Sequence, residues 1–107
     1  MADLLFAKGF AVLARNLRLG ALELDIVARK GALVVVVEVR TRGVGAWVSA
    51  LESVTWAKRQ RLRRATGRLW RTRLAAMRGV ERVRIDVAAV TFVGQETRVE
   101  YVCGAAG

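Results

Sequence analysis

The apolar residues of this chain change their period along the sequence, and the period predicts which element each segment forms. Alternating apolar and polar residues, or short apolar runs that end at turn residues, are typical of strands. Apolar residues three and four positions apart, such as Leu62, Ala65 and Leu69, are typical of a helix that covers a sheet. The predicted strands are residues 10–18, 23–29, 32–40, 82–92 and 97–103, and the predicted helices are residues 2–9 and about 49–77.

The order of these segments, a helix, three strands, a helix and two strands, predicts a single α/β domain over residues 1–107. We expect a mixed central sheet, flanked by a short N-terminal helix and one long basic helix. A hydrophobic fraction of 54% is sufficient for one compact core.

No segment resembles a membrane anchor. The longest apolar run, residues 32–37, is far shorter than the roughly 18 to 20 residues that span a bilayer. Asp3 and Lys8 interrupt the N-terminal segment, which therefore lacks the continuous apolar stretch of a signal peptide. We expect a cytoplasmic protein with no membrane partner.

The composition excludes several kinds of chemistry. The chain has 19 Lys and Arg, 9 Asp and Glu, a formal charge of +10, and no histidine. The lack of histidine excludes Ser-His-Asp and Cys-His nucleophiles and His-liganded metals. Since Cys103 is alone, an internal disulfide is also excluded. The excess of positive charge favours a polyanionic partner such as nucleic acid.

Three of the nine acidic residues are predicted to gather on one face of a hairpin. If a two-residue turn at residues 30–31 joins the two strands, Glu23 lies opposite Glu38. Asp25 and Arg40 then emerge on the same side of the hairpin. The opposite side is apolar and consists of Leu24, Ile26, Val35, Val37 and Val39.

Such a cluster of carboxylates favours a bound cation. Asp25 and Glu38 are diagonal neighbours in this register, about 7 to 8 Å apart at the backbone, and a cation can bridge that gap. Mg²⁺ or Mn²⁺ fits best, because these ions bind one or two carboxylates together with water and phosphate oxygens. The alternative is a solvated face whose acids pair with nearby arginines, and a turn shifted by one residue would also remove the cluster.

Six short segments resemble, in order and over residues 4–93, the YraN-like family of bacterial proteins. That family is similar in fold to Holliday-junction resolvases and to the restriction-endonuclease-like PD-(D/E)xK nucleases. The matching segments are Arg15-Asn16-Leu17-Arg18, Glu23-Leu24-Asp25-Ile26-Val27-Ala28, Val37-Glu38-Val39-Arg40-Thr41-Arg42, Glu52-Ser53-Val54 with Lys58, Arg61-Leu62, and Arg84-Ile85-Asp86-Val87.

The resemblance implies a restriction-endonuclease-like domain in which Asp25 and Glu38 hold Mg²⁺ or Mn²⁺ and Glu23 assists. Arg40 stands where these nucleases carry a lysine, and a guanidinium cannot deprotonate a water. Three interpretations remain open. Arg40 stabilises the phosphate, or the chain binds without cutting, or Lys58 has taken over the role of the lysine. The family also carries a Gly-Glu pair before the first strand, and without it we expect one acidic contact to be missing.

The long helix predicts a nucleic-acid contact, because residues 58–78 contain nine cations and no acid. We expect DNA rather than RNA as the partner, and a homodimer is compatible with a two-fold symmetric junction. Arg42 and Arg84 either bind phosphate or pair with Glu23 and Asp86. The candidate nucleic-acid contacts are Arg42, Arg59, Arg61, Arg63, Arg64, Arg68, Arg71 and Arg84.

The expected function is metal-dependent hydrolysis of DNA or RNA phosphodiesters, which would make the protein an endonuclease. The alternative is a non-catalytic nucleic-acid-binding module that keeps the nuclease fold. A structural protein whose basic helix docks on an acidic partner is a third possibility.

Overall fold

The structure is a computed structural model that describes residues 1–42, 50 and 52–105. The predicted glycine-containing loop at residues 43–45 lies outside these residues. The helices are α1, Ala2–Ala7, and α2, Trp56–Thr72, and a 3-10 turn spans Leu74–Ala76. The strands are β1, Ala11–Leu19, β2, Leu22–Lys30, β3, Leu33–Arg42, β4, Arg82–Val93, and β5, Glu96–Val102.

The five strands form one mixed sheet in the order β1-β2-β3-β4-β5. β3 and β4 are parallel and the other neighbours are antiparallel. A parallel pair needs a crossover connection, and the segment that contains α2 supplies it. The predicted mixed α/β domain with a short and a longer helix is therefore confirmed. In the described part of the chain, no helix is long and apolar enough to cross a membrane.

Both faces of the central strand β3 are buried, and the faces alternate as the sequence predicts. Val34 and Val36 lie in the apolar cluster that includes Leu62 and Leu69 of α2. Val35 and Val37 lie in the cluster on the other face, with Leu5 of α1. A strand that is buried on both faces has apolar residues at every position, which explains the continuous apolar run at residues 32–37.

α2 is shorter than the predicted helix at both ends. Its first residues are capped by Thr55, whose hydroxyl accepts a hydrogen bond from the Lys58 N–H at 3.2 Å. The helix ends at Thr72, and Met77 has an extended backbone with φ −76° and ψ 127°. Met77 nevertheless packs on the core. Its helical spacing from Leu69 and Leu62 therefore predicted its burial correctly but not its backbone conformation. The cap places Lys58 in the first turn of α2.

The turn between β2 and β3 lies one residue later than predicted. Lys30 pairs with Leu33, so the two turn residues are 31–32. Gly31 has φ 59°, and a positive φ at the first turn residue is the requirement of a type II′ turn. The pairing changes by two residues, so no side chain of β3 changes face. The continued register brings Asp25, rather than Glu23, level with Glu38.

The sheet splits where β2 and β3 stop pairing, and we call this place the fork. The last pair of the β2–β3 ladder is Ile26 with Val37. Beyond it, β2 stays paired with β1 and β3 stays paired with β4 as far as residue 42. Leu24 packs in the α2 cluster whereas Ile26 packs on the opposite face, so the expectation that they share a face is wrong. Asn16, on β1 beside this point, has φ 50°, a conformation that asparagine tolerates better than most residues.

Candidate metal centre

Asp25 lies at the fork and closes the end of the β2–β3 ladder with its side chain. Its Oδ2 atom accepts a hydrogen bond from the Val39 N–H at 2.9 Å. The carboxylate thus replaces the backbone carbonyl that a continued β2 would have offered to β3. One bond fixes the orientation of Asp25 beside Glu38, and a carboxylate has further acceptor positions.

Glu38 is the most deeply buried acid near the fork, with 3% of its surface exposed. Its Oε1 atom lies 3.4 Å from Nζ of Lys58 and 4.0 Å from a guanidinium nitrogen of Arg40. Its Oε2 atom is buried and has no hydrogen-bond partner among the described residues. An ionised oxygen left in that state costs free energy unless a cation or a proton reaches it.

The pKa of Glu38 is raised above its ordinary value. The largest cause is burial, which disfavours the charged form, and the negative charge of Asp25 comes next. The Lys58 ammonium opposes both effects. A close contact between the Asp25 and Glu38 carboxyl groups, favourable when one of them holds a proton, raises the pKa further. Two carboxylates in repulsive contact form a pair that a divalent cation would relieve.

These residues fit a hard divalent ion. The oxygens of Asp25 and Glu38 are the donors that Mg²⁺ and Mn²⁺ prefer, and one of them is buried without a partner. The predicted third acid does not join them: within residues 1–42, 50 and 52–105, no three acidic or cysteine side chains gather at one point. Glu23 instead lies 3.6 Å from Arg18. The prediction of three acids in one patch is wrong, because the irregularity at Asp25 changes the direction of the side chains before it.

Of the two cations that form ion pairs with Glu38 in the described part of the chain, Lys58 is the nearer, although it comes from α2 and not from β3. Its side chain is 33% exposed, whereas that of Arg40 is 41% exposed. The closer approach of Lys58 follows from its place in the first turn of α2, above the carboxyl end of β3. Lys58 therefore comes closer to Glu38 than Arg40 does, although Arg40 is only two residues from Glu38 in the sequence.

Two of the predicted nucleic-acid contacts are paired with acids in the structure. Arg84 donates to both carboxylate oxygens of Asp86 at 2.8 and 3.0 Å, the pairing that the sequence left open. Arg42 lies 3.1 Å from Glu100 of β5, whereas Glu23 forms an ion pair with Arg18. Glu100 also accepts a hydrogen bond from the Ala50 N–H at 3.2 Å. Glu100 is 50 residues or more from both of these partners, so sequence spacing could not predict the two contacts.

Sequence reasoning missed a buried network around Asp86, on the face of the sheet away from α2. Asp86 is fully buried and accepts hydrogen bonds from the Tyr101 hydroxyl at 2.6 Å and the Gly104 N–H at 2.9 Å. The pKa of Tyr101 is raised by burial and by its bond to Asp86. An acid between apolar neighbours at residues 85 and 87 was the available signal, since a buried carboxylate needs partners. This network connects β4, β5 and the chain after β5.

The other predicted cations lie along α2, which carries seven cations and no acid. Arg59 is half-buried, and the side chains of the other predicted helix arginines project outward. The exposed ones are Arg61, Arg63, Arg64, Arg68 and Arg71.

The fold and the site together define a mixed α/β protein with two interacting carboxyl groups, Asp25 and Glu38, the second of which contacts Lys58 of a basic helix. The model of the uncharacterised protein family UPF0102 matches residues 1–90, and the chain belongs to this family. The YraN-like resemblance of the sequence is thereby confirmed.

Several UPF0102 proteins are close in sequence. The one from Sorangium cellulosum is 50% identical over 99 residues, which cover 92% of this chain and 69% of that protein. The one from Kineococcus radiotolerans is 48% identical, covering 90% of this chain and 78% of the relative. A UPF0102 protein of Nitratidesulfovibrio vulgaris is 40% identical, with coverage of 97% and 75%.

Proposed function

We propose that this protein is a metal-dependent hydrolase of nucleic-acid phosphodiesters, related to the restriction-endonuclease-like nucleases. The observation that carries the proposal is the buried Oε2 atom of Glu38, which has no hydrogen-bond partner among the described residues, in a carboxyl group that interacts with that of Asp25. A buried carboxylate with this repulsive neighbour is unfavourable for stability alone, and it suits a site that binds Mg²⁺ or Mn²⁺.

Each residue of the site has a distinct role in this proposal. Asp25 and Glu38 would hold the metal, and the Val39 N–H would keep the Asp25 carboxylate in place through its hydrogen bond. The ion would supply an activated water and neutralise charge on the phosphodiester. Lys58, 3.4 Å from Glu38, would hydrogen-bond the attacking water or a phosphate oxygen. Arg40 would contribute positive charge at a greater distance.

Nucleic acid is the proposed substrate because of the charge on α2. A solvated helix normally alternates acids with bases, whereas α2 carries seven cations and no acid of its own, so neighbouring cations along the helix repel each other. A phosphate backbone would relieve this repulsion, and such contacts give affinity without sequence preference. Since the first turn of α2 carries Lys58, the same helix that would bind the backbone also reaches the metal centre.

The test is cleavage of branched, flapped and single-stranded DNA in Mn²⁺ or Mg²⁺ by the wild-type protein and by Asp25→Ala. We expect the wild-type protein to cut at least one substrate, no cutting in excess EDTA, and a loss of more than about 100-fold in Asp25→Ala. Both proteins should bind DNA with the same salt dependence. If both bind and neither cuts, the enzyme proposal is wrong.

Lys58 and Arg40 are expected to differ in their effect on turnover. Lys58→Ala should lower kcat by about 100-fold, the ordinary contribution of a positioned proton-transfer or charge-stabilising group. Arg40→Ala should lower kcat by less than about tenfold, because Arg40 is more distant and more exposed. Mn²⁺ affinity, measured by calorimetry, should not fall in Lys58→Ala, since a competing cation is removed. Equal losses of kcat in the two variants would contradict the assignment of Lys58.

A non-catalytic nucleic-acid-binding module is the second candidate. The contact between Lys58 and Glu38 favours it, because the ammonium already neutralises part of the charge that a metal would meet. Under this alternative, Mn²⁺ leaves the melting temperature unchanged and DNA binding is retained.

A further inference from the structure

One flank of α2 faces the turn between β1 and β2, and cations line that flank. Lys58 and Arg61 border a cleft of about 150 Å³, whose other wall is formed by residues 21–23. Further along the helix, a guanidinium nitrogen of Arg68 lies 3.0 Å from the place that a Cβ on Gly20 would occupy. The row of side chains therefore follows the seam between the helix and the β1–β2 turn.

The row begins at the candidate metal centre and leads away from it. Ten residues separate Lys58 from Arg68, which corresponds to about 15 Å along a helix. Lys58 contacts Glu38 of the metal centre at 3.4 Å. A polymer that follows the row would therefore pass one of its backbone groups beside the two carboxylates.

The charges of Arg61 and Arg68 are available to a ligand, whereas Lys58 already contacts Glu38. In the described part of the chain, no acidic side chain lies within ion-pairing distance of Arg61 or Arg68. Glu23 lines the cleft, and its carboxylate lies 3.6 Å from Arg18, which offsets its charge. A flexible polyanion is a ligand that can pair with cations spaced along one flank of a helix.

The size of the cleft restricts what can enter it. Its volume of about 150 Å³ is below the roughly 300 to 1,000 Å³ of sites that take small organic ligands. A phosphate group of a backbone can enter such a space, whereas a base pair cannot.

We propose that this flank of α2, formed by Lys58, Arg61 and Arg68 against the β1–β2 turn, binds the phosphate backbone of a single polynucleotide strand next to the phosphodiester that is cut. The proposal rests on the proposed function. It adds the path that the substrate follows along α2 and the inference that this path holds one strand and not a duplex. It separates Arg61 and Arg68 from the other arginines of α2. Arg64 and Arg71 provide the comparison, because Arg71 lines a different groove with Glu81 and Arg82.

The experiment compares two double variants of equal charge and spacing, Arg61→Ala with Arg68→Ala, and Arg64→Ala with Arg71→Ala. In each pair the two residues are seven positions apart on the same helix. Binding of a fluorescein-labelled single-stranded 20-mer is followed by anisotropy in EDTA, so that no cleavage occurs, at several salt concentrations. Circular dichroism confirms that both variants are folded.

We expect the slope of log K against log salt to fall by about 1.4 for the Arg61 and Arg68 variant, since each lost contact to a single strand removes about 0.7. This corresponds to about 25-fold weaker binding at 0.1 M salt. The Arg64 and Arg71 variant should change the slope by less than half as much. Equal losses of affinity in the two double variants, or a larger loss in the Arg64 and Arg71 variant, would contradict the proposed path of the strand.

A second pair of variants tests the cleft without removing an arginine. Ala21→Glu places a negative charge in the cleft, and Ala75→Glu places the same charge on another exposed surface. Ala21→Glu should weaken binding at least fivefold more than Ala75→Glu, and equal effects would contradict the path. If the wild-type protein does not bind the strand at 0.1 M salt, the nucleic-acid substrate itself is wrong, and this result differs from binding that is insensitive to the variants.

Discussion

Replacing Glu38 by glutamine is expected to abolish the rise in melting temperature that Mn²⁺ gives the wild-type protein. A ligand at 100 times its dissociation constant stabilises the folded state by about 2.7 kcal/mol. For a domain of 107 residues this corresponds to a shift of roughly 10 °C or more. The amide of glutamine keeps the shape of Glu38 and loses the negative charge that would attract the ion.

Without Mn²⁺, Glu38→Gln is expected to lower the free energy of unfolding by at most about 1 kcal/mol. The substitution removes a buried charge that Asp25 repels, and this gain offsets the lost contact with Lys58. Glu96→Gln is the matched control, because the Glu96 carboxylate is 73% exposed. That variant should retain the full response to Mn²⁺. A Mn²⁺ response that survives in Glu38→Gln would contradict the metal centre.

Asp86→Ala is expected to lower the free energy of unfolding by about 3 kcal/mol, the largest loss of stability that we predict. The substitution removes a fully buried carboxylate and leaves Arg84, Tyr101 and the Gly104 N–H without their acceptor. Breaking a buried ion pair costs about 3 to 5 kcal/mol, and the lower value applies because the Arg84 side chain is one-third exposed. Urea denaturation or a fall in melting temperature of roughly 15 °C would show the effect.

The matched control for Asp86 lies on the neighbouring strand. Glu96 and Arg98 also form an ion pair two residues apart, at 3.6 Å, but both side chains are at least 70% exposed. Glu96→Ala should change the stability by less than about 0.5 kcal/mol. Similar losses in the two variants would show that the Asp86 network is not the stabilising feature. Since Asp86 faces away from α2, any Asp86→Ala protein that still folds should bind DNA as before.

The order of the elements and the faces of β3 followed from local patterns, because burial on both faces required a continuous run of apolar residues. The end of α2 did not follow, since the apolar spacing after Thr72 favours a helix, whereas the backbone leaves the helical conformation at Arg73, with φ −137° and ψ −56°. The register of the β2–β3 hairpin depended on one backbone angle, the positive φ of Gly31, which fixes the turn type. The predicted turn was one residue too early, but this did not change which face of the sheet each β3 side chain occupies, because the strand pairing moved by two residues.

For the candidate site, the sequence by itself determined the two carboxylates, Asp25 and Glu38, and the basic helix. These depend on neighbours in sequence, on the alternation of strands and on net charge. The tertiary structure decided which groups join them. It placed Glu23 beside Arg18, brought Lys58 closer to Glu38 than Arg40, and paired Arg84 with Asp86. The physical reason is that a side chain's partner depends on where strands lose their regular pairing and where a distant helix packs, and neither is encoded in a local period.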